Sequence, residues 1–143
     1  FRRVPDGGGY AIMAGLQQFI DAVDHLEFTQ EDIDYLAGKA SRLRVFDDEA
    51  GVMNLDVVQT DGEILVVSQF TLQASTRKGN RPSFTNAARP ETAIPLYEAF
   101  IARCRESGLP VETGEFGAYM AVDSVNDGPF TLIVDTKDLE APK

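Results

Sequence analysis

The stretch that decides the fold is Glu63-Ile64-Leu65-Val66-Val67-Ser68-Gln69-Phe70-Thr71-Leu72. An unbroken apolar run from Ile64 to Val67 predicts a strand that is buried on both faces, as in the sheets of α/β proteins. Such a strand rarely ends in a polar pair such as Ser68-Gln69, because a buried polar group needs a hydrogen-bond partner or a ligand. The end of this strand is therefore the first candidate for a functional site.

Upstream of this strand, the sequence predicts a helix, a turn and a short strand. Thr29 and Asp32 form a variant of the capping box, and apolar residues follow at helical spacing, which predicts a helix over residues 30–44. Residues 47–51, Asp-Asp-Glu-Ala-Gly, are typical of a turn, and a strand is predicted over residues 53–58. The adjacent acids suggest a cation site, but they lack the ligand spacing of a calcium loop, so we interpret them as a solvated turn.

Downstream of the strand, a second helix is predicted over residues 93–107. Thr92 is its expected cap, Pro95 is tolerated in its first turn, and Gly108 is expected to end it. Cys104 lies on the apolar face of this helix, and we interpret it as a core residue.

The last third of the chain is predicted to hold two or three strands, over residues 111–113, 119–125 and 130–135. Between the last two lies Asn126-Asp127-Gly128-Pro129, which is typical of a turn. A Gly-Pro bond also allows a cis peptide at a cost of roughly 0.5 to 1 kcal/mol, so this turn can direct two carbonyl groups as an ordinary turn cannot. It is a candidate recognition element.

Size and composition predict one globular domain over residues 1–143. The chain has 143 residues, of which 43% are hydrophobic and 25% charged, and this excludes disorder, collagen and coiled coil. A single cysteine cannot form an internal disulfide or a thiolate metal site, which indicates a reducing compartment, and we expect the cytoplasm. The apolar runs are too short to span a bilayer, so we expect a soluble protein.

The formal net charge of −10 argues against non-specific binding along a nucleic-acid duplex. One basic cluster, Arg77-Lys78-Gly79-Asn80-Arg81, could still hold one or two phosphates. The alternative interpretation of this cluster is a solvated turn.

The side-chain inventory restricts the chemistry. His25 is the only histidine and lies in a region without pattern, so we interpret it as a surface residue. No nucleophile elbow surrounds Ser68, and no Cys, His and Asp cluster has metal-ligand spacing. An enzyme built from this chain would depend on backbone N–H groups, hydroxyls and the Gln69 amide, and its reaction would need little acid-base help.

Two motifs give the chain a family resemblance. Residues 68–74, Ser-Gln-Phe-Thr-Leu-Gln-Ala, and residues 126–131, Asn-Asp-Gly-Pro-Phe-Thr, resemble the SQFTLxA and NxGPxT motifs of the D-aminoacyl-tRNA deacylases. Residues 77–85 resemble the family's basic segment, and Met53-Asn54-Leu55 also matches. The resemblance, over residues 29–136, implies a single small α/β domain with a strongly curved, barrel-like β-sheet and flanking helices.

The beginning of the chain is the exception to this resemblance. Family members start with strands that help close the sheet, and residues 1–28 show no clear version of them, so we expect this region to be atypical or incomplete. Residues 5–9, Pro-Asp-Gly-Gly-Gly, are typical of a turn rather than of a phosphate loop, because no Gly-Lys-Ser/Thr follows them. The chain does not begin with Met and shows no signal region, which suggests a trimmed or partly recorded N-terminus.

The resemblance implies hydrolysis of the ester that joins a D-amino acid to the 3′-terminal adenosine of tRNA. This reaction recycles tRNA and keeps D-residues out of translation, and glycine wrongly attached to tRNA is also within the family's reach. The resemblance further implies a homodimer with the active site at the subunit interface, the tRNA acceptor end as partner, and neither a cofactor nor a metal.

The catalytic candidates lie at the end of the central strand. We expect the backbone N–H groups near Phe70 and Thr71 to stabilise an oxyanion, and Ser68 and Gln69 to bind the terminal adenosine or fix the loop. The ribose 2′-hydroxyl can assist the attack on an activated ester. Thr71 as a side-chain nucleophile stays open as the alternative, although no base is visible for it.

The recognition candidates lie in the other motif and in the basic cluster. The resemblance implies that Gly128-Pro129, inserted from the partner subunit, excludes L-amino acids sterically and admits glycine. The substrate-binding candidates are Asn126, Gly128, Pro129, Phe130 and Thr131, and the tRNA-binding candidates are Arg77, Lys78 and Arg81.

Two other classes of function stay open. A non-catalytic nucleic-acid-binding module would explain the basic cluster, but would leave Ser68-Gln69 and the Gly-Pro turn without a role. A hydrolase of another small aminoacyl ester would keep both motifs and lack selectivity for tRNA.

Overall fold

The structure is a small α/β domain with a parallel sheet at its centre. A computed structural model describes the backbone of residues 11–16 and the whole of residues 29–136. Strands β1 (Ala11–Leu16), β4 (Glu63–Ser68) and β5 (Val111–Thr113) form one sheet in the order β1-β4-β5, and both neighbouring pairs are parallel. The predicted α/β class is confirmed, and the barrel-like curvature of the sheet stays a prediction.

Strand β4 is the central strand, as its apolar run predicts. Ile64 and Val66 are almost fully buried, and Ile64 is in register with Ile12 of β1 and Val111 of β5. The strand stops at Ser68, and the chain turns into a 3₁₀ helix over Phe70–Gln73, because Leu72 N donates to Gln69 O at 3.2 Å. The motif therefore lies on a turn at the end of the strand.

Strand β1 corrects the expectation that residues 1–28 show no clear strand. Its sequence, AIMAGL, is rich in alanine and glycine, which have a low preference for strands, so it carries little local signal. Its pairing with β4 over the full length of both strands specifies it instead. The predicted turn at residues 5–9 and the predicted surface position of His25 lie outside the described residues.

Helix α1 spans Gln30–Arg42, and its predicted start is confirmed. Thr29 N donates to Asp32 Oδ2 at 2.7 Å, and Asp32 N donates to Thr29 Oγ1 at 3.4 Å, which completes the capping box. Burial raises the pKa of Asp32, but the hydrogen bonds from Thr29 outweigh it and hold that pKa below its ordinary value. The helix ends earlier than predicted because Leu43 adopts an extended backbone with φ −61° and ψ 127°.

Helix α2 spans Pro90–Arg105 and starts before its predicted beginning. Pro90 occupies the first turn, where its fixed φ suits a helix and its missing N–H costs nothing. The predicted cap at Thr92 is wrong, since Arg89 precedes the helix and makes no side-chain cap hydrogen bond. Pro95 consequently lies inside the helix and not in its first turn.

A hairpin precedes the central strand. Strands β2 (Phe46–Asp47) and β3 (Met53–Leu55) are antiparallel, and β3 is shorter than the predicted strand over residues 53–58. The Asp48 carboxylate accepts hydrogen bonds from Ala50 N at 2.9 Å and Val52 N at 3.0 Å, and Gly51 has a φ of 72°. The predicted turn is confirmed, with Asp48 as its organiser.

The core lies between the two helices and the sheet. Cys104 is fully buried, as predicted, and burial raises the pKa of its thiol to about 11. Gly108, with a φ of 82°, closes the turn that ends α2, as predicted. In the described part of the chain no helix is long and apolar enough to cross a membrane. The buried cluster consists of Ile33, Ala37, Val57, Ile64, Val66, Tyr97, Phe100, Ile101, Cys104, Leu109 and Val111.

Two predicted strands are wrong. Residues 111–113 form β5, but residues 119–125 and 130–135 adopt no regular strand. A strand requires a neighbour for its backbone groups, and these residues pair with no strand in the described ranges. Several of their apolar side chains are exposed, among them Tyr119, Val125 and Ile133.

Candidate active site

The end of β4 presents the first motif to solvent. Ser68 is half-buried, whereas Gln69, Phe70 and Thr71 are exposed on the 3₁₀ turn. Gln69 Nε2 donates a hydrogen bond to Thr71 Oγ1. An amide cannot take up a proton, so the partner of the Thr71 hydroxyl in this structure is not a general base.

The same turn leaves two backbone donors open. Phe70 N and Thr71 N begin the 3₁₀ helix, and neither has an acceptor among the described residues. The Gln69 side chain, which could have capped this turn, is bonded to Thr71 instead. Adjacent free N–H groups beside a neutral hydroxyl suit the stabilisation of a developing negative charge on oxygen.

Tyr97 of α2 holds the strand immediately before the motif. Its hydroxyl donates to Val66 O at 3.1 Å, and the same carbonyl accepts from Gly114 N at 3.0 Å. Its ring packs against Phe116 with centroids 5.7 Å apart, and burial raises the pKa of the phenol. Sequence reasoning missed Tyr97, although its spacing from Phe100 and Cys104 on one helix face is the signal that could have found it.

The second motif forms a turn that one side chain organises. Asn126 Oδ1 accepts from Phe130 N at 2.8 Å, and Asn126 Nδ2 donates to Thr131 Oγ1 at 3.1 Å. Between them Gly128 has a φ of 132°, and the Gly128-Pro129 peptide is cis. Residues 126–131 are all exposed, so the turn is a preformed feature of the surface.

The basic cluster lies on a closed loop beside the first motif. Ser75 N donates to Ser83 O at 2.8 Å, and Ser83 N donates to Ser75 O at 3.0 Å. This pair closes a loop that exposes Arg77, Lys78 and Arg81. The ring of Phe84, just past the closure, contacts the ring of Phe70 edge-on, with centroids 5.2 Å apart.

The structure therefore brings two of the three predicted groups together. The Phe70–Phe84 contact joins the basic loop to the end of β4. In contrast, over the ranges that the structure describes, no hydrogen bond, ion pair or ring contact links residues 126–131 to residues 68–71. Within those ranges, no group of three or more His, Cys, Asp or Glu could hold a metal ion.

The chain belongs to the family described as D-Tyr-tRNA(Tyr) deacylase, whose sequence profile matches residues 9–135. Similar curated proteins carry the name D-aminoacyl-tRNA deacylase. The protein from Parabacteroides distasonis is 50% identical over 138 residues, which cover 94% of this chain and 85% of that protein. The protein from Flavobacterium johnsoniae is 55% identical over 113 residues, which cover 78% and 75%.

Solved structures agree with the fold. A structure named c-Myc DNA Unwinding Element Binding Protein superposes with a TM-score of 0.72 at 37% identity, covering 90% of this chain and 82% of that one. A probable eukaryotic D-amino acid tRNA deacylase superposes with a TM-score of 0.62 over 75% of each chain. At 18% identity, the second similarity shows the fold alone.

Proposed function

We propose that this protein hydrolyses the ester between a D-amino acid and the 3′-terminal adenosine of tRNA, releasing the free D-amino acid and tRNA. The observation that carries the proposal is the pair of open donors at Phe70 N and Thr71 N, in a chain of this family. The protein acts as a single domain in the cytoplasm, needs no cofactor, and removes mischarged glycine from tRNA as well. In this role it proofreads translation.

The proposed ester hydrolysis uses the backbone N–H groups of the 3₁₀ turn. The carbonyl oxygen of the ester accepts hydrogen bonds from Phe70 N and Thr71 N, and the ribose 2′-hydroxyl assists the attack of water. One such donor is worth about 2.7 to 4 kcal/mol of transition-state stabilisation. The amide partner of Thr71 supports a main-chain mechanism over a Thr71 nucleophile, because no base in the described residues contacts that hydroxyl.

Selectivity for D-amino acids comes from Gly128-Pro129 of a second copy of the chain. In this arrangement the exposed turn of one subunit enters the active site of its partner and occupies the position of an L side chain. Two observations support a homodimer. The turn makes no bonded contact with its own strand end in the described residues, and the exposed apolar side chains of residues 119–134 are typical of an interface.

The first experiment compares matched D- and L-aminoacyl-tRNA. Because the filter is steric, we expect rapid deacylation of the D-ester and of glycyl-tRNA, and survival of the L-ester. Equal rates on the D- and L-esters would overturn the assignment, and binding without turnover of either would favour a non-catalytic module.

The second experiment removes one backbone donor. Phe70 begins the 3₁₀ turn, where proline is compatible with the helical φ, so Phe70→Pro deletes an N–H while keeping the turn. We expect this variant to lose about 10² to 10³ in kcat on D-aminoacyl-tRNA. Phe70→Ala, which lacks the ring and keeps the N–H, is the matched control and should retain most of that activity.

The role of Thr71 is decided by two parallel measurements. Thr71→Ala should retain substantial single-turnover activity, whereas tRNA ending in 2′-deoxyadenosine should react very slowly. An inactive Thr71→Ala that still binds tRNA, together with fast hydrolysis of the deoxy substrate, would make Thr71 the nucleophile.

A nucleic-acid-binding function without catalysis is the second candidate. The exposed basic loop and the name of the structure that is 37% identical favour it. It leaves the open N–H pair and the Asn126 turn without a role. Measuring turnover and binding on the same D-aminoacyl-tRNA separates the two functions.

A further inference from the structure

An open pocket lies against the basic loop, and residues with hydroxyl and amide groups line it together with cations. It is lined by Ser75, Arg77, Lys78, Ser83, Thr85 and Asn86. We propose that this pocket binds one particular phosphate of the substrate, the one that joins the last two nucleotides of the tRNA 3′ end. The proposal rests on the function proposed above and assigns a binding role to Ser83, Thr85 and Asn86.

The cations of the pocket are available to an external anion. Arg77 and Lys78 are exposed, and within residues 29–136 neither forms an ion pair or a side-chain hydrogen bond. By contrast, Arg103 is bound to Asp34 at 2.6 Å and to Glu106 at 2.6 Å. In a chain with a net charge of −10, two adjacent unpaired cations make this loop a place where a phosphate is attracted.

The uncharged residues of the lining add hydrogen-bond donors to the pocket. Ser83 Oγ and Thr85 Oγ1 lie 3.3 Å apart, and each makes its only described side-chain hydrogen bond to the other. Two hydroxyls that share one bond retain one free proton between them, which can be donated to a phosphate oxygen. Asn86 also lines the pocket, and its amide carries further N–H donors.

The position of the pocket selects the phosphate. Ser83 and Thr85 flank Phe84, whose ring contacts Phe70 with centroids 5.2 Å apart. The backbone N–H of Phe70 is the proposed donor to the reacting ester, which is carried by the terminal nucleotide. The phosphate nearest to that ester along the strand is the 5′-phosphate of the same nucleotide, and the ring contact makes the basic loop the neighbour of the turn that would hold the ester.

The test compares ligands that differ only in this phosphate. Adenosine and adenosine 5′-phosphate are used as competitive inhibitors of D-aminoacyl-tRNA hydrolysis by the wild-type protein and by Ser83→Ala and Thr85→Val. We expect the phosphate to strengthen inhibition of the wild-type protein by about tenfold or more, since hydrogen bonds and ion pairs to a charged group are the strong ones. In both variants this advantage should fall severalfold, while inhibition by adenosine stays the same.

Thr76→Val is the matched control, because Thr76 lies in the same loop and does not line the pocket. It should keep the full preference for adenosine 5′-phosphate. The salt dependence adds an independent measurement. Lys78→Ala should reduce the slope of log binding constant against log salt for a 3′-terminal oligonucleotide by about 0.7, whereas Thr85→Val should leave it unchanged.

Two outcomes would overturn the proposed phosphate site. One is equal inhibition of the wild-type protein by adenosine and its 5′-phosphate. The other is a loss in Ser83→Ala and Thr85→Val that is the same for both inhibitors, which would assign the hydroxyls to loop structure alone. Failure of the proposed function is distinguishable from these, because the wild-type protein would then not hydrolyse D-aminoacyl-tRNA in the uninhibited reaction.

Discussion

Single side chains shape the candidate site mainly by binding backbone atoms. Tyr97 holds the carbonyl of Val66 just before the first motif, and Asn126 spans the second motif by accepting from Phe130 N. Gln69 bonds Thr71 and thereby leaves the start of its own turn uncapped. The reacting groups proposed here are main-chain atoms, so the residues that matter most are those that fix the main chain.

Tyr97→Phe tests whether a side chain that binds the main chain at the end of β4 affects catalysis. Removing the hydroxyl deletes the bond to Val66 O but leaves that carbonyl its bond from Gly114 N, so we expect a loss of about 1 kcal/mol in the free energy of unfolding. We also expect a fall in kcat with little change in KM, because Tyr97 positions the turn without touching the substrate. Tyr35→Phe on α1, whose hydroxyl makes no hydrogen bond within the described residues, is the control and should change neither quantity. Unchanged kcat in a destabilised Tyr97→Phe would limit Tyr97 to a structural role.

Cys104 gives a clean probe of the core because it is the only cysteine. Its thiol is fully buried with a pKa of about 11, so at pH 8 we expect almost no reaction with iodoacetamide until the protein unfolds. Cys104→Ser should destabilise the protein by about 1 to 3 kcal/mol, because a buried hydroxyl needs a partner. Cys104→Ala, which adds no polar group, should cost less. Fast labelling of the native protein would show that this part of the core opens readily.

Elements with a strong local signal could be predicted from the sequence, and elements defined by distant partners could not. The capping box at Thr29 marked the start of α1, and the apolar run marked β4. Strand β1 has a weak local pattern and exists through its register with β4, so sequence reasoning missed it. The prediction for residues 119–125 and 130–135 is wrong for the opposite reason, since their apolar content indicates strands while neither of the two described sheets includes them.

The same distinction between local signal and distant contact applies to the candidate site. The residue pattern alone points to Ser68-Gln69 and to the Gly128-Pro129 turn, and the resemblance supplies the other motif residues. The structure adds the local bonds from Gln69 to Thr71 and between Asn126 and the pair Phe130 and Thr131. The Phe70–Phe84 contact and the bond from Tyr97 to Val66 join residues far apart in the chain. No periodicity or spacing within one segment encodes such a contact, so the sequence could not predict it.

The packing of α1 on α2 carries a pH-dependent contribution. Arg103 Nε donates to Asp34 Oδ1 at 2.6 Å, and this bond holds the pKa of Asp34 below its ordinary value. Since the pKa is lower in the folded state, the stabilisation is present above about pH 4 and is lost as the pH falls through the folded pKa. Asp34→Asn should therefore lower the Tm at pH 7 by no more than about 2 °C, as expected for an exposed pair, and the difference should shrink as the pH falls below about 4. Glu98→Gln on the exposed face of α2 is the control, and an equal shift in it would argue against a specific role of the pair.

At the scale of the whole molecule, the separation of the two motifs is the feature that needs an explanation. The first motif and the basic loop are joined by a ring contact, whereas the Asn126 turn is complete by itself and stands in solvent. Two hydrogen bonds from Asn126 hold the turn together, and a turn fixed in this way suits a steric filter better than a flexible loop would. The proposed homodimer would give each half of the site a role: one subunit would orient the ester and the phosphate, and the other would reject the L side chain.

Mixed dimers test this assembly directly. Phe70→Pro damages the donor half of the site, and Gly128→Ala damages the filter half, because an added Cβ at a φ of 132° would lie 3.3 Å from Phe130 N. If each site combines the donor half of one subunit with the filter half of the other, a heterodimer of the two variants has one site with both defects and one intact site. After exchange of equal amounts of the two homodimers, about half of the dimers are mixed, and D-selective deacylation should recover to about a quarter of the wild-type value. If both halves of a site belong to the same subunit, every site in the mixture carries one defect, and no D-selective deacylation is recovered beyond that of the two separate variants.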